Sequence, residues 1–355
     1  MINKPNKLSK LEAIRGFAAI YVVLHHNFSY ELIIAGINFS FLFRFGQEAV
    51  ILFFILSGFV IQYSFINSNN KSFFSFFLKR WLRIYVPLIC VFICNFYLLT
   101  INNQNLINSD YKILLGNLLM LQDASFLKPN VICDSFLGNT PLWSLSYEWW
   151  FYMIFFLITS NLTKNRSHIV YIIGIIAAIS YVFYPFFVNR ELMYLVIWWI
   201  GADIAYLYNN NKEFSILNLK TPIFYLISCI VILIINLRIN LPQNFRFGVS
   251  PMLELRHFLF AFCAILFAII WSKLKWVGFK YSIGLFKYIA PISFGIYISH
   301  YFLIIHAHYL DTIISNVHLR LLGYYVICIL FSFIIERIIY TKINKIAIKL
   351  LNAFK

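Results

Sequence analysis

Charge is what this chain of 355 residues has least of, and most of it has one sign. Asp and Glu number 13 against 29 Lys and Arg, and charged residues make up only 12% of the chain. Soluble domains carry about twice that share, so an ordinary water-facing surface is excluded. Cysteine is sparse as well. Cys90, Cys94, Cys229, Cys263 and Cys328 sit in apolar runs, where they serve as small hydrophobic filler. Cys133 stands alone in a polar stretch without an obvious partner, which argues against a disulfide framework. The chain has no CxxC, no HExxH, no Gly-rich phosphate loop and no internal repeat. No small-x-small cleavage site follows the basic N-terminal end, so the first apolar run is expected to stay.

What the chain has instead is long apolar runs: 61% of it is hydrophobic and 20% aromatic. Ten runs reach bilayer length, at about Leu11–Ser29, Ala49–Ile66, Ile84–Ile101, Leu142–Ser160, Ile169–Val188, Leu192–Tyr208, Pro222–Leu237, His257–Ser272, Tyr288–Ile305 and Leu321–Tyr340. With the N-terminus inside, 21 of the 29 basic residues fall in inner segments, Lys4, Lys7, Lys79, Lys280 and Lys355 among them. Losing one span would scramble that bias. The count therefore predicts an all-α polytopic bundle with both termini cytoplasmic, and it accounts for the net charge of +16 without nucleic acid. One transmembrane domain over residues 1–355 is expected, with no fused soluble domain. The long outer connection 102–141, rich in Asn, reads as a lid, a binding loop or disorder.

Against this apolar background, polar groups inside the runs are functional candidates. The first run carries Arg15 near its start and His25 and His26 near its end. At about 100° and 1.5 Å per residue, Arg15 and His26 share one helical face roughly 16 Å apart. His25 is offset by about 100° and must meet a different environment. Arg15 alone would also suit an anchor snorkelling to the inner surface.

Four more stretches need reasons. In the second run, Ser57-Gly58 permits close approach by a helix or an extended ligand, and Glu48 sits at the outer entrance, where solvation alone would account for it. Arg80 and Arg83 are neighbours on one helical face at the inner surface; two guanidinium forks there can grip phosphate, or lipid headgroups. Glu148 lies over a turn into the fourth run, with Ser144 on its face, beyond a Trp- and Tyr-rich entrance of the kind an interface belt provides. Ser293, Tyr297 and His300 form a polar stripe at i, i+4 and i+7 in the ninth run. His306, His308 and His318 follow in the outer region and read as exposed histidines, with no metal expected.

Taken in order, Leu11-Glu-Ala-Ile-Arg-Gly-Phe-Ala-Ala…His26, Phe53-Phe-Ile-Leu-Ser-Gly-Phe, Arg80-Trp-Leu-Arg83-Ile-Tyr-Val-Pro, Trp143-Ser-Leu-Ser-Tyr-Glu148 and Ser293…Tyr297…His300 resemble the acyltransferase-3 family of membrane-bound O-acyltransferases. That family includes enzymes acting on O-antigen, nodulation factors and exopolysaccharides. The resemblance runs from Leu8 to about His300 and implies a multi-pass protein of the bacterial cytoplasmic membrane. It places the family's arginine and histidine on Arg15 and His26. Its Arg-x-x-Arg, associated with the cytosolic acyl-CoA donor, falls on Arg80 and Arg83, and its Trp…Glu motif on Trp143 and Glu148. Ile51 stands where many members have Asp, which leaves Gln47 or Glu48 to replace it.

The implied chemistry starts with acetyl-CoA, or another acyl-CoA, as donor substrate rather than resident cofactor. Its phosphates dock on Arg80 and Arg83 with Arg15, and its thioester arm follows the first helix. His26, paired with Glu148 or His300, takes the proton from a glycan or glycolipid hydroxyl arriving from outside. Tyr297 or Ser57 steadies the oxyanion, and Trp143, Tyr297 and Glu48 are the expected acceptor contacts. A covalent acyl-enzyme is a second route. The competing class is a transporter or flippase of a lipid-linked glycan, which ten helices with midplane polar groups also suit. A sensor or scaffold would leave His26, Glu148 and His300 unexplained.

Overall fold

A computed structural model describes residues 4–101, 106–162, 164–241 and 246–353, with side chains from residue 8 to residue 349 within those ranges. The side chains of Lys4, Lys7 and Lys355, counted in the charge bias, and residues 102–105 of the long connection lie outside the described residues.

The chain is helical nearly throughout. In order come α1 (Lys4–Phe28), a small exposed hairpin of β1 (Ile33–Ile34) and β2 (Ile37–Asn38), α2 (Gly46–Ile66), α3 (Phe73–Ile101) and α4 (Tyr111–Leu118). There follow α5 (Trp143–Asn161), α6 (Arg166–Phe183), α7 (Phe187–Asn209), α8 (Lys220–Ile239) and α9 (Met252–Lys273). The last are α10 (Ser293–His300), α11 (Val317–Phe333) and α12 (Tyr340–Ala353). Each expected run overlaps a helix, but Ile169–Val188 is broken at residues 184–186, between α6 and α7. Among the described residues, six segments, Ser40–Ile66, Phe73–Ile101, Arg166–Phe183, Lys220–Ile239, Met252–Lys273 and Val317–Lys349, are long and apolar enough to cross a membrane. The runs in α1, α5, α7 and α10 fall short of that measure, and they are where Arg15, Glu148, Arg190 and His300 lie.

Helix α2 is the axis of the bundle, packed against α1, α5, α7 and α9. Its closest neighbour is α7. A Cβ on Gly58 would stand 1.9 Å from the carbonyl oxygen of Trp198, and one on Gly201 would stand 1.9 Å from that of Ile55. In lipid, where apolar burial does not drive helices together, such backbone contact supplies the packing energy. Helices α6 and α8 flank α7, while α10 sits among α1, α3 and α11.

Three departures from the expected layout position the site. Helix α3 begins eleven residues before the expected run, so Arg80 and Arg83 lie within continuous helix. Pro87, inside α3, has no N–H to offer the carbonyl of Arg83. The helical ladder also widens to π-helical turns at Tyr301–Ile305, directly after His300, and at Ile334–Ile339, which holds Glu336. Such turns concentrate at functional sites.

The long connection is built around a buried ionic knot. Asp123 accepts from Lys128 Nζ at 2.8 Å and from Arg190 Nε at 3.1 Å, and all three side chains are fully buried. Tyr147 OH donates at 2.8 Å to Asp123 Oδ2, the oxygen that Arg190 also reaches, while Lys128 holds Oδ1. Asp110 caps α4 through the N–H groups of Lys112 and Ile113. Asn139 then ties the end of the connection to α10, donating to the Ile298 carbonyl at 3.0 Å.

Candidate active site

A cavity of about 360 Å³ opens between α1, α2, α3, α5, α10 and α12. At one end Arg15, Lys79, Arg80 and Arg83 face it, beside Asn344 of α12. Arg15 donates to the Ala290 carbonyl at 3.1 Å. The Arg80 guanidinium lies 5.2 Å from the Phe76 ring centre and 5.9 Å from that of Tyr152. The Nε atoms of Arg15 and Arg80 are buried without a hydrogen-bond partner. Arg83 is ion-paired with Glu336, whose second oxygen accepts from the Gly295 N–H at 2.6 Å. These are guanidinium groups lining one small space, a chemistry that can take an anion.

Midway along the cavity, Glu148 accepts from Ser57 Oγ at 2.9 Å and from Tyr152 OH. Ser57 in turn accepts from the Trp198 indole at 3.2 Å. At the far end stand Phe53, Ser144 and Tyr297. Ser144 Oγ and Tyr297 OH are 2.7 Å apart, and Tyr297 donates to the Pro141 carbonyl, also at 2.7 Å.

Beyond Tyr297 is the histidine pair. The His26 ring centre lies 5.2 Å from that of His300 and 6.1 Å from that of Tyr301. His300 is fully buried, with Nδ1 2.7 Å from the Tyr297 carbonyl oxygen. A carbonyl only accepts, so Nδ1 carries the proton and Nε2 of the neutral ring carries the lone pair. That Nε2 has no hydrogen-bond partner. His25 turns elsewhere, its Nδ1 2.6 Å from the Phe43 carbonyl, as its helical offset requires.

The structure thus brings together Arg15, Ser57, Arg80, Arg83, Glu148 and Tyr297 around one cavity, and His26 with His300 beside it. It does not pair His26 with Glu148. Ser144 is level with the Tyr297 hydroxyl, and Glu148 lies one helical turn farther along α5, about 6 Å deeper. Nor do the histidines line the cavity. The Tyr297 ring intervenes, 5.6 Å from Phe53 on one side and 6.2 Å from His300 on the other.

Glu48, expected as an acceptor contact, neither lines the cavity nor is solvated at an entrance. It is 3% exposed and ion-paired with Arg256. Ile51, where the family Asp was expected, is buried, and Gln47 Oε1 is buried without a partner. Trp143 stands away from the cavity, with Lys128 Nζ 3.4 Å from its ring centre and the His257 ring parallel to it. Trp143, Tyr147 and Trp149 are interior packing rather than a belt at the lipid interface. Sequence reasoning missed Glu336. Its signal was present, a single carboxylate in the apolar run Phe333-Ile-Ile-Glu-Arg-Ile-Ile.

Residues 8–337 match the acyltransferase domain family, acyltransferase 3, and the chain belongs to that family. A curated relative, the acyltransferase MdmB of Streptomyces mycarofaciens, is 31% identical over 154 residues, which cover 42% of this chain and 38% of that protein. No solved structure matches. With its long apolar helices, the chain is an integral membrane protein.

Proposed function

We propose that the chain is a membrane-bound O-acyltransferase, moving an acyl group, acetyl foremost, from a cytosolic acyl-CoA to a hydroxyl of a cell-surface or lipid-linked glycan. The carrying observation is the single cavity in which Arg15, Lys79, Arg80 and Arg83 stand at one end while Tyr297, at the other, abuts the histidine pair. In this reading the arginine end faces the cytosol of a bacterial cell, ten helices cross its inner membrane and both termini lie inside.

The donor's phosphates take the unsatisfied N–H groups of Arg15 and Arg80 and the fork of Arg83, and its arm runs past Ser57 and Glu148. Tyr297 is the partition the acyl group must pass, and its hydroxyl, held by Ser144 and Pro141, lies where an oxyanion donor is needed. His26 is the general base for the acceptor hydroxyl. His300, its Nδ1–H fixed on the Tyr297 carbonyl, keeps an unpartnered Nε2 lone pair and packs beside the His26 ring, where it biases that ring's protonation. The hydroxyl oxygen attacks the thioester carbonyl, the C–S bond breaks, and the proton held on His26 leaves with the CoA thiolate.

Purified protein given labelled acetyl-CoA and a surface glycan should transfer label to the glycan. Mass spectrometry of surface polysaccharide made with and without the chain should differ by one acetyl mass per modified repeat. Transport of a lipid-linked glycan with no donor turnover would overturn the reading.

A further inference from the structure

A second chamber, of about 210 Å³, lies across α2 from the first, between α1, α7 and α9. Its wall is apolar, with Leu52, Phe59, Ile204 and Ala268, and two cations complete it, Lys10 and Lys212. The polar groups are gathered at one end. Lys212 lies three residues past the end of α7, and Ser272 and Trp276, which also line the chamber, flank the end of α9. Lys10 is kept at this rim by Trp276, its Nζ 4.7 Å from the ring centre, and Lys212 is exposed. Lys10 precedes Arg15 by five residues on α1, so the rim belongs to the same membrane face as the arginine end of the site.

We propose that this chamber binds an anionic phospholipid of that leaflet, with one acyl chain inside the chamber and the phosphate between Lys10 and Lys212. Charge complementarity selects the occupant. An apolar slot between membrane helices with cations confined to its rim matches an amphiphile whose negative charge sits at the headgroup level. A zwitterionic lipid satisfies the slot and not the rim, and a soluble anion does the reverse. Leu56 lines both this chamber and the site cavity, so the bound chain supports the wall from which Ser57 reaches Glu148.

The test counts lipid on the full chain and does not depend on acyl transfer. The protein is placed in nanodiscs of phosphatidylcholine containing a minority of phosphatidylglycerol, and retained lipid is identified by native mass spectrometry after gentle release. The expected result is one tightly held phosphatidylglycerol. Replacing Lys10 and Lys212 by alanine should lower its preference over phosphatidylcholine by about fivefold for each cation removed. Ala268→Trp, which fills the chamber and leaves the charges, should displace the lipid, and Ala264→Phe does the same should the first variant fold poorly. Equal retention of the two lipids, or phosphatidylglycerol retained undiminished in a folded chamber-filled variant, overturns the proposal. So does detergent as the sole occupant.

Discussion

His26, on the first helix, and His300, at the end of α10, stand with ring centres 5.2 Å apart although 274 positions separate them. His300 is locked by the Tyr297 carbonyl, whereas His26 is only part-buried, so one imidazole is fixed and the other can meet a substrate. His26→Ala should lower acyl transfer by about 10²- to 10⁴-fold while membrane insertion stays as in the parent chain. Label transferred per mole of purified protein measures this. Full activity in that variant would remove His26 as the base. His300→Gln should move the pH profile of kcat/KM as well as lower it, because its role is to set the state of another ring.

The knot of Asp123, Lys128 and Arg190 makes a separate prediction about stability. Removing the shared carboxylate leaves two buried cations facing one another. Asp123→Asn should cost about 3–5 kcal/mol, read as a lowered midpoint in thermal unfolding and as protease sensitivity of the connection before α5. A variant as stable as the parent would mean that the knot is hydrated and screened.

Much of the fold was legible in the sequence because bilayer-length apolar runs leave the backbone few choices. The histidine pair was legible as well, since Arg15, His26 and His300 are the side chains an apolar helix has no reason to carry. What stayed hidden depends on contacts between distant segments. Glu48 read as an acceptor contact or a solvated entrance residue because its partner, Arg256, is 208 positions away. Trp143 and Tyr147 read as an interface belt because nothing in their own stretch announces Lys128 above their rings. Glu336 was visible as a lone carboxylate in an apolar run, but its partner, Arg83, is 253 positions away, and the π-helical turn that holds it leaves no periodic signature.

Helix α2 should tolerate no side chain at Gly58, where its backbone meets that of α7. The atom a Cβ on Gly58 would strike is a backbone oxygen, so no rotamer relieves the clash. Gly58→Val should therefore reduce the folded, membrane-extractable yield severalfold, whereas Gly248, with open space around its Cα, should accept alanine with near-parental yield. Size-exclusion profiles of detergent-solubilised protein distinguish the two.

Cys133, in the connection before α5, makes a prediction about pH. Burial and the carboxylates of Asp134 and Asp123 push its thiol up to about 11. A raised thiol pKa keeps the neutral form, so at pH 8 the thiolate fraction is on the order of 10⁻³. Maleimide labelling of Cys133 should be slow at neutral pH, rise about tenfold per pH unit toward pH 11, and become fast at pH 8 once the chain is denatured and the thiol returns to about 8.5. Rapid labelling of Cys133 itself in the folded protein at pH 7 would contradict its half-buried placement beside the carboxylates.

Glu336 decides how Arg83 is used. One carboxylate oxygen takes the Gly295 N–H and the other takes the guanidinium, so the residue joins α10 to α3 behind the arginine that lines the cavity. If its role is to aim Arg83 at the donor, Glu336→Ala should raise the donor KM by about tenfold or more, as expected for the loss of a charge-assisted bond, and leave kcat within a few-fold. Glu336→Gln, which keeps an acceptor for Gly295, should fall between the two. A donor KM that falls would have the opposite meaning. The carboxylate would then be a competitor that occupies Arg83 until phosphate displaces it, and removing it would free a cation the cavity otherwise keeps neutralised.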